Sequence, residues 1–547
     1  MNKKDFSILI GGAAGQGSRK AGLIIAKIFS DLGYKIYIYD DYQSLIRGGH
    51  SFSLIRASEK ENNCSKKKID ILLALDEKTI QEHLKDLNED GLIIFNQDKV
   101  KKEKGIGIAI ESIVKELEGI PIMANTALLG GFAKIIGLDF DFLKNILEKE
   151  ISKGIEKNLE IAKKAYDLEE AKLKIEDIGD KVPLLTGNEA LSLGVVAAGL
   201  ELYIAYPMTP ATGILNYLAK LKDCNVLVSQ LENEIAVINA AIGAAYAGKR
   251  TMVGTSGGGF ALMTEAISLA AMSETPIVIV NSQRPGPATG VPTYSGQGDL
   301  LFTLNSGHGD LMRFVIAPGD VNEMFIWSGK AMNLAWKYQT PVILLTEKDL
   351  SEATFSFDKK VLSKVRKEEA LIWDKDKEYQ RYELTDNGIS PLAFPGNDAI
   401  VKATSYEHDE YGISTEDKGT IKKMQDKRLR KFKSMKKEID NIEAVNVYGN
   451  DSEIAVVCFG SLKGIVKNVC EKLGIKMIQP IVLEPFPQKQ TQEALKGVNK
   501  VICVEANALG QLSKVLAQNN IKVDKSILKY DGRPFKEEDL EDQLKNI

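Results

Sequence analysis

Cysteine is scarce in this chain and is never clustered. The 547 residues include only five cysteines, and no two form a C-x-x-C pair: Cys64, Cys224, Cys458, Cys470 and Cys503. An iron–sulfur cluster needs about four converging thiolates, so this spacing argues against a cluster held by the chain itself. An odd number of cysteines also argues against a disulfide framework. We expect all five to be reduced and buried as small apolar residues.

Long apolar runs, a large net charge and paired histidines are missing as well. No apolar stretch reaches the roughly 18 residues needed to span a membrane, and the first residues show no cleavage-site pattern, so we expect a cytoplasmic protein with no membrane partner. A net charge of −4 argues against a general nucleic-acid binder. The four histidines, His50, His83, His308 and His408, have no ligand spacing, so no metal site is predicted.

Strands that alternate with helices predict an α/β fold in several domains. We predict a first domain over residues 1–175, a second over 180–358, an irregular connector over 359–440 and a smaller α/β domain over 441–547. The first two are expected to be mostly parallel, doubly wound sheets. The basic helix that ends the connector is expected to present a solvated face.

A glycine-rich turn follows the first predicted strand and precedes a helix. Its glycines include Gly12, Gly15 and Gly17. Such a turn brings backbone N–H groups and a helix N-terminus to a phosphate, but it also serves close packing alone, and both interpretations stay open. The later run Arg47-Gly-Gly-His50 adds a cation suited to an anionic ligand or a partner interface.

The central domain carries the most informative pattern, Tyr206-Pro-Met-Thr-Pro-Ala-Thr212 followed by Glu232-Asn-Glu234. Glu234 opens an apolar helix, and a buried carboxylate there needs a partner. It can hydrogen-bond a heterocycle nitrogen and pass a proton. The alternative is an exposed acid stabilised by the helix dipole.

Two further positions follow predicted strands of the same domain. Gly257, within Thr255-Ser-Gly-Gly-Gly259, either holds an anion through backbone amides or allows tight packing. Arg284 follows the strand at residues 277–280, so it is expected at the carboxyl edge of the sheet, where it can hold a carboxylate. The alternative for Arg284 is an ordinary surface ion pair.

A diphosphate and metal site is not evident. Thiamine domains that bind the diphosphate typically show Gly-Asp-Gly and a later Asn, which place oxygen ligands on Mg²⁺. Here Gly298-Asp299 continues as Leu300, and Gly309-Asp310 continues as Leu311. The chain therefore has a candidate acid for a pyrimidine ring without the rest of the site, which indicates completion by a partner subunit.

Taken in order, these motifs make the chain similar to a known family. The chain resembles 2-oxoacid:ferredoxin oxidoreductases in which a gamma domain is fused ahead of the alpha domains. The matching segments include Gly11-Gly-x-x-Gly-Gln-Gly17, Arg47-Gly-Gly49, Tyr206-Pro-Met-Thr-Pro210, Glu232-Asn-Glu234, Gln283-Arg-Pro-Gly-Pro287, Ala317-Pro-Gly-Asp320, Asn387-Gly-Ile-Ser-Pro391 and Gly510-Gln-Leu512. The resemblance implies a gamma-type Rossmann-like domain, a thiamine pyrimidine-binding domain and a smaller C-terminal transketolase-like domain.

The resemblance also implies a reaction and its partners. A 2-oxoacid is oxidatively decarboxylated to an acyl-CoA and CO2, and the electrons pass to ferredoxin. Thiamine diphosphate is shared with a beta subunit, which supplies Mg²⁺ and 4Fe–4S clusters, and coenzyme A is the co-substrate. Two copies of this chain would pair with two beta chains.

The family's site residues map onto matching positions of this sequence. Glu234 would hydrogen-bond the aminopyrimidine, Thr209 would lie beside the reacting carbon and Arg284 would hold the substrate carboxylate. Tyr206, Pro207 and Gly257 would contact the cofactor. The turn of Gly12, Gly15 and Gly17 would help to cover coenzyme A.

The sequence departs from the family at two places. Met208 and Ala211 replace the usual Ile and Ser, and Tyr294-Ser-Gly296 replaces a turn that often contains Lys. If that turn contacts substrate, the lost cation favours a 2-oxoacid without a second carboxylate, unless Arg313 or Lys348 supplies the charge.

Two other functions remain open at this stage. One is a subunit of a thiamine-dependent transketolase or dehydrogenase E1-type enzyme, which the glycine-rich block at the start of the chain disfavours. The other is a non-catalytic assembly or nucleotide-binding protein that uses the first domain alone.

Overall fold

The computed structural model describes residues 4–44, 49–101 and 104–547. The strands are β1 Asp5–Ala13, β2 Lys35–Asp41, β3 His50–Ser58, β4 Ile69–Ala74, β5 Leu87–Asn96, β6 Ile106–Ile108, β7 Leu184–Thr186, β8 Leu202–Ala205, β9 Leu227–Gln230, β10 Thr251–Thr255, β11 Ile277–Gln283, β12 Phe314–Ile316, β13 Pro341–Glu347, β14 Thr354–Ser356, β15 Val445–Tyr448, β16 Ile454–Val457, β17 Lys476–Pro480, β18 Val482–Glu484, β19 Lys500–Glu505 and β20 Lys525–Leu528. The α-helices are α1 Ser18–Asp31, α2 Glu77–His83, α3 Ile110–Glu116, α4 Ala124–Ile135, α5 Phe140–Glu150, α6 Ile155–Asp167, α7 Gly187–Ala197, α8 Thr212–Leu218, α9 Glu234–Tyr246, α10 Gly257–Met272, α11 Leu300–Leu304, α12 Val321–Tyr338, α13 Lys348–Glu352, α14 Lys418–Asn441, α15 Leu462–Leu473, α16 Gln488–Ala494, α17 Gln511–Gln518 and α18 Glu537–Lys545. Short 3-10 helices lie at Leu84–Asp86, Pro121–Met123 and Lys359–Lys364.

The chain folds into two units. Unit 1 consists of Met1–Leu185, Ala353–Asp358 and Phe535–Ile547, and unit 2 consists of Thr186–Glu352 and Lys359–Pro534. The division predicted from the sequence, with boundaries near 175, 358 and 440, stays a prediction.

Unit 1 is built on a sheet of order β6-β5-β4-β1-β3-β2-β14-β7. The pairs β1–β4, β4–β5 and β5–β6 are parallel, whereas β1–β3, β2–β3 and β2–β14 are antiparallel. The sheet is therefore mixed, and the expectation of a mostly parallel sheet was wrong for this unit. The reason is β3, which follows β2 without the crossover helix that parallel neighbours need.

Unit 2 contains a seven-stranded sheet of order β18-β12-β13-β11-β10-β8-β9. Its neighbours from β12 to β9 are all parallel, and the six strands predicted for this region are present, β8 and β12 with the predicted bounds. Because these strands run in one direction, their carboxyl ends lie at one edge of the sheet. The loops after β8, β9, β10, β11 and β13 therefore converge there, as ligand-binding loops do in doubly wound sheets.

A second sheet of unit 2 has the order β15-β17-β16-β19-β20. One apolar core joins the two sheets and includes Ile279 and Ile343 of the larger sheet and Val457 and Ile478 of the smaller one. Strand β18 was predicted within the C-terminal domain, but it pairs antiparallel with β12 of the larger sheet. Only the tertiary packing selects its partner.

The basic helix α14 was expected to present a solvated face, and that prediction was wrong for its central residues. Lys427 and Lys431 are buried, and both bind the carboxylate of Glu274, which is 1% exposed. Burial opposes the charge of Glu274, but the two lysines outweigh it and lower the pKa of that carboxyl. The helix is therefore anchored in the core of unit 2 by an ion cluster.

Candidate active site

The residues predicted to act meet at the carboxyl edge of the seven-stranded sheet. Residues 206–211 connect β8 to α8, Asn233 and Glu234 follow β9, Ser256 and Gly257 follow β10, and Arg284 follows β11. Each chain segment follows a parallel strand of this sheet, which fixes its position at the edge.

Glu234 is the buried acid of this edge. It is the first residue of α9, and the Asn233 side chain caps the helix by accepting a hydrogen bond from Ala236 N at 2.9 Å. The Glu234 side chain is only 3% exposed, so the alternative of an exposed first-turn acid was wrong. Within residues 4–44, 49–101 and 104–547, its Oε1 is buried and has no hydrogen-bond partner. An unsatisfied buried carboxylate oxygen is costly, so this atom is suited to a hydrogen-bond donor from a ligand.

The end of β10 and the first turn of α10 pack closely against that carboxylate. A Cβ at Gly259 would lie 2.5 Å from Glu234 Oε1 and would also collide with Thr255 Oγ1. Thr255 Oγ1 in turn lies 3.8 Å from Met208 Sδ of the residue 206–211 loop. Gly259 therefore lets α10 pack against the acid, and Thr255 links the acid to the loop that carries Thr209.

Thr209 and Arg284 are held together across two loops. The Arg284 guanidinium donates from Nη1 to the carbonyl oxygen of Thr209 at 2.8 Å. Asp299 faces this pair. Burial lowers the pKa of Arg284, and the charge of Asp299 opposes that shift. Burial also raises the pKa of Asp299 itself. A Cβ at Gly257 would lie 2.5 Å from Asp299 Oδ2, so Gly257 adjoins the same cluster.

Tyr206 and Pro207 border this cluster from its solvent side. Tyr206 is 39% exposed and Pro207 is partly buried. Both are thus accessible to a ligand or a partner chain. The structure brings Glu234, Thr209, Gly257 and Arg284 into one connected group, with Tyr206 and Pro207 beside it.

The sequence reasoning missed a second acid at this edge, Glu347. It ends β13 in register with Gln283 and is 1% exposed. Its Oε1 accepts hydrogen bonds from Ser461 N at 2.5 Å and from Gln297 Nε2 at 3.2 Å. Its Oε2 is buried and has no partner in the part of the chain that the structure describes. Burial raises the pKa of Glu347 to about 7. A carboxylate directly after a buried parallel strand is the sequence signal that would have found it.

The two cations considered as substitutes for the missing Lys differ in location. Arg313 precedes β12 and donates to Ser306 and Thr303, so it lies at the amino edge of the parallel sheet, opposite the site. Lys348 directly follows β13 and is buried at the carboxyl edge. Arg313 therefore does not supply a cation to this site.

The glycine-rich turn of unit 1 contains two glycines that allow close packing and one whose backbone is accessible. A Cβ at Gly12 would lie 2.5 Å from Gln16 Oε1, and one at Gly17 would lie 2.5 Å from Asn125 Nδ2, so these two allow close packing. Gly15 has a φ of 91° and open space beside it, which leaves its backbone accessible. Phosphate contact by this turn stays a prediction. Arg47 and Gly48 of the neighbouring motif lie outside the described residues.

The edge fits part of a thiamine diphosphate site. The unpartnered Glu234 oxygen matches a heterocyclic N–H donor, and the Gly257 loop offers the N-terminus of α10. Across the described ranges, the group of three side chains able to hold a metal lies in unit 1 and not at this edge. The residues therefore fit the pyrimidine end of the cofactor and not its metal-bound diphosphate.

Comparison with known proteins agrees with this geometry. A family model described as pyruvate flavodoxin/ferredoxin oxidoreductase, thiamine diphosphate-binding, matches residues 193–426. A model described as pyruvate ferredoxin/flavodoxin oxidoreductase matches residues 7–168, and one described as pyruvate:ferredoxin oxidoreductase core domain II matches residues 452–540.

Individual relatives extend over the whole chain. The alpha subunit of 2-oxoacid:ferredoxin oxidoreductase 2 from Aeropyrum pernix is 33% identical over 99% of this chain and 98% of its own length. The 2-oxoglutarate synthase subunit KorA from Methanocaldococcus jannaschii is 34% identical over 66% of this chain and 98% of its own. The solved 2-oxoglutarate:ferredoxin oxidoreductase from Magnetococcus marinus, with 2-oxoglutarate, coenzyme A and succinyl-CoA bound, is 30% identical over 100% of both chains, with a TM-score of 0.91.

Fold and edge residues together define an oxidoreductase subunit with a thiamine diphosphate-binding domain. The chain belongs to the 2-oxoacid:ferredoxin oxidoreductase family, as an alpha subunit whose gamma-like domain precedes the thiamine-binding domain. Among its described residues, no helix is both long and apolar enough to traverse a bilayer.

Proposed function

We propose that this chain supplies the pyrimidine-binding half of a thiamine diphosphate active site that oxidatively decarboxylates a 2-oxoacid. The products are an acyl-CoA, CO2 and reduced ferredoxin, and a separate beta subunit completes the site. The observation that carries this proposal is the buried Glu234 carboxylate, whose Oε1 lacks a partner within the described chain.

Each residue of the cluster has a role in this proposal. Bound thiamine diphosphate supplies a nucleophilic carbon and an electron sink for decarboxylation. Glu234 accepts a hydrogen bond from the pyrimidine ring and holds the proton that the ring exchanges. Arg284 binds the carboxylate of the 2-oxoacid, and its bond to Thr209 O orients both groups at the reacting carbon. Tyr206, Pro207 and Gly257 line the cofactor site.

The beta subunit supplies what this chain lacks. We assign the 4Fe–4S clusters to it because no two of the five cysteines form a C-x-x-C pair. We also assign Mg²⁺ and the diphosphate site to it, because Gly298-Asp299 and Gly309-Asp310 each continue as Leu. Gly12, Gly15 and Gly17 of the gamma-like domain cover part of coenzyme A. The assembly contains two copies of each chain and acts in the cytoplasm with ferredoxin as electron acceptor.

The turn at residues 294–296 supports a substrate with a second carboxylate. The Arg533 guanidinium carbon lies 3.5 Å from the centroid of the Tyr294 ring, and Ser295 N donates to Gly532 O at 3.1 Å. Gly296 adjoins Pro285, the neighbour of Arg284. Arg533 therefore places a cation beside the turn that lacks the family's Lys. This cation suits a dicarboxylic 2-oxoacid such as the 2-oxoglutarate bound by the Magnetococcus marinus protein.

The deciding experiment is anaerobic co-expression with the beta partner, followed by 2-oxoacid-dependent reduction of a viologen dye with and without coenzyme A. We expect activity that Glu234→Gln lowers at least about 100-fold while the complex still assembles. A complex that binds thiamine diphosphate but reduces no dye with any 2-oxoacid would overturn the proposal in favour of another thiamine class.

The substrate class is tested by a second variant in the same complex. Arg533→Gln should lower kcat/KM for 2-oxoglutarate about tenfold or more and leave kcat/KM for pyruvate unchanged, because only the former has a second carboxylate to pair. Equal losses for both substrates, or no loss for either, would remove Arg533 from substrate recognition.

A further inference from the structure

Two histidines of unit 1 that are 33 residues apart in the sequence meet in the fold. His50 begins β3 and His83 ends α2, and their Nε2 atoms lie 2.9 Å apart. The sequence analysis predicted no metal site because the four histidines have no ligand spacing. Spacing along the chain cannot detect two histidines that folding brings together from a strand and a helix end. Glu82 lies beside them, with its Oε2 at 3.9 Å from His50 Nε2.

The three side chains have the geometry of a metal site. One ligand atom from each of His50, Glu82 and His83 falls within 4.8 Å of the other two. Ligands on a tetrahedral zinc ion, at bond lengths of about 2.0–2.1 Å, lie roughly 3.3 Å from each other. A small outward shift of the two imidazoles and an inward swing of the Glu82 carboxylate thus suffice to surround an ion.

Burial and mobility are distributed as such a site requires. His50 is 5% and His83 is 9% exposed, so the imidazoles are positioned by the core, and Phe52 packs against both rings. The Glu82 side chain is 44% exposed and its neighbour on the helix is Lys78, at 3.5 Å. An exposed ion pair of this kind contributes little, so Glu82 is free to exchange it for a metal.

Several carboxylates surround the histidine pair. Carboxylates face His50 from several elements: Glu82 on α2, Asp76 before it and Asp41 on β2. The lysines that act on the pair are Lys78 near His50, and Lys85 and Lys536 near His83. Among the residues that the structure describes, His50 Nδ1 is buried and has no hydrogen-bond partner.

We propose that His50, Glu82 and His83 form a binding site for a divalent first-row transition metal, with zinc as the expected occupant. Two imidazoles and one carboxylate are a donor set that zinc accepts, whereas Mg²⁺ and Ca²⁺ prefer oxygen ligands alone. Three protein ligands leave a fourth position for water or for an anionic group. The competing explanation is a hydrogen bond between two buried imidazoles, with no metal.

The test is a titration of the full chain, freed of metal by a chelator, with Co²⁺ as a spectroscopic probe. We expect one Co²⁺ per chain, with the visible absorption of four-coordinate nitrogen and oxygen ligation, displaced by Zn²⁺. Glu82→Gln and His83→Gln should each weaken Co²⁺ binding by more than about 10-fold. The exposed His308, which is far from this cluster in the sequence and lies in the other unit, provides the matched control His308→Gln, expected to bind Co²⁺ as before.

Folding of the variants is checked in the same samples. Zn²⁺ should raise the melting temperature of the unmodified chain and not that of Glu82→Gln, whose exposed side chain is not needed for packing. Absence of bound Co²⁺, binding unaffected by both substitutions, or a thiolate charge-transfer band that traces the metal to a cysteine would each overturn the proposal.

Discussion

Replacing Gly259 by alanine tests the proposed role of Glu234 without touching the acid itself. A methyl group at Gly259 would lie 2.5 Å from Glu234 Oε1, well inside van der Waals contact, and would also collide with Thr255 Oγ1. The carboxylate is the movable end of its side chain, so we expect it to shift by about 1 Å. A displacement of that size at a catalytic group costs on the order of 100-fold in rate.

The effect of this substitution on stability should be small by comparison. Overpacking of a core costs about 1–3 kcal/mol, and replacing a helical glycine by alanine recovers up to about 1 kcal/mol. The net loss is therefore about 0–3 kcal/mol. A chain that still folds and assembles with its beta partner but turns over about 100-fold more slowly would separate catalysis from folding.

Gly243 provides the matched control. It lies on the exposed face of α9, the helix that Glu234 begins, and a Cβ there would meet nothing within 4 Å. Gly243→Ala should gain up to about 1 kcal/mol and keep full activity in the viologen assay. If Gly259→Ala also kept full activity in an assembled complex with thiamine diphosphate bound, the assignment of Glu234 to the pyrimidine ring would be refuted.

Three further substitutions test other parts of the molecule. Arg284→Lys should raise KM for the 2-oxoacid at least about 10-fold, because lysine cannot bind a carboxylate bidentately. Arg313→Lys, at the opposite edge, should leave KM unchanged. Steady-state kinetics with one 2-oxoacid measure both values, and equal effects would contradict the role assigned to Arg284. Because burial raises the pKa of Glu347 from 4.5 to about 7, the folded state binds the extra proton, and stability should fall by roughly 3 kcal/mol as pH rises from about 4.5 to above 7. Glu347→Gln should remove this loss, seen as urea midpoints that no longer differ between pH 5 and pH 8; an unchanged difference would show that Glu347 is not its source. Lys427→Met breaks the buried pair with Glu274 and should lower the free energy of unfolding by about 3 kcal/mol. Lys422→Met, at an exposed pair with Asp426, should lower it by less than about 1 kcal/mol. Urea unfolding of both variants measures the two losses, and similar values would mean that burial of the pair does not set its contribution.

Local patterns carried most of the prediction for unit 2. Short apolar runs between glycine-rich loops determine parallel strands because both faces of such a strand are buried, and periodicity reports that directly. The loops after parallel strands share one edge, and this rule placed Arg284 at the carboxyl edge before the strand order was known. The structure places Thr209, Glu234 and Gly257 in loops at the same edge.

Where partners come from distant parts of the chain, the sequence was silent or misleading. In the sequence, the segment with Lys427 and Lys431 has the composition of a solvated basic helix. No neighbouring residue indicates that both lysines will be buried against Glu274. Arg533 reaches Tyr294 from more than two hundred residues away, so the cation beside the turn could not be inferred from the turn itself.

By itself, the sequence determined the α/β class, the approximate positions along the chain of the six parallel strands of the sheet that carries the site, and the expected place of Arg284 at the carboxyl edge of that sheet. These follow from short apolar runs and from the direction of parallel strands, which are local properties. Only the tertiary structure decided that Glu234 is buried with an oxygen that has no partner among the described residues, that Arg313 lies at the opposite edge, and that the His50 and His83 rings are in contact. Burial and long-range pairing depend on which surfaces meet after folding, and no local pattern contains that information.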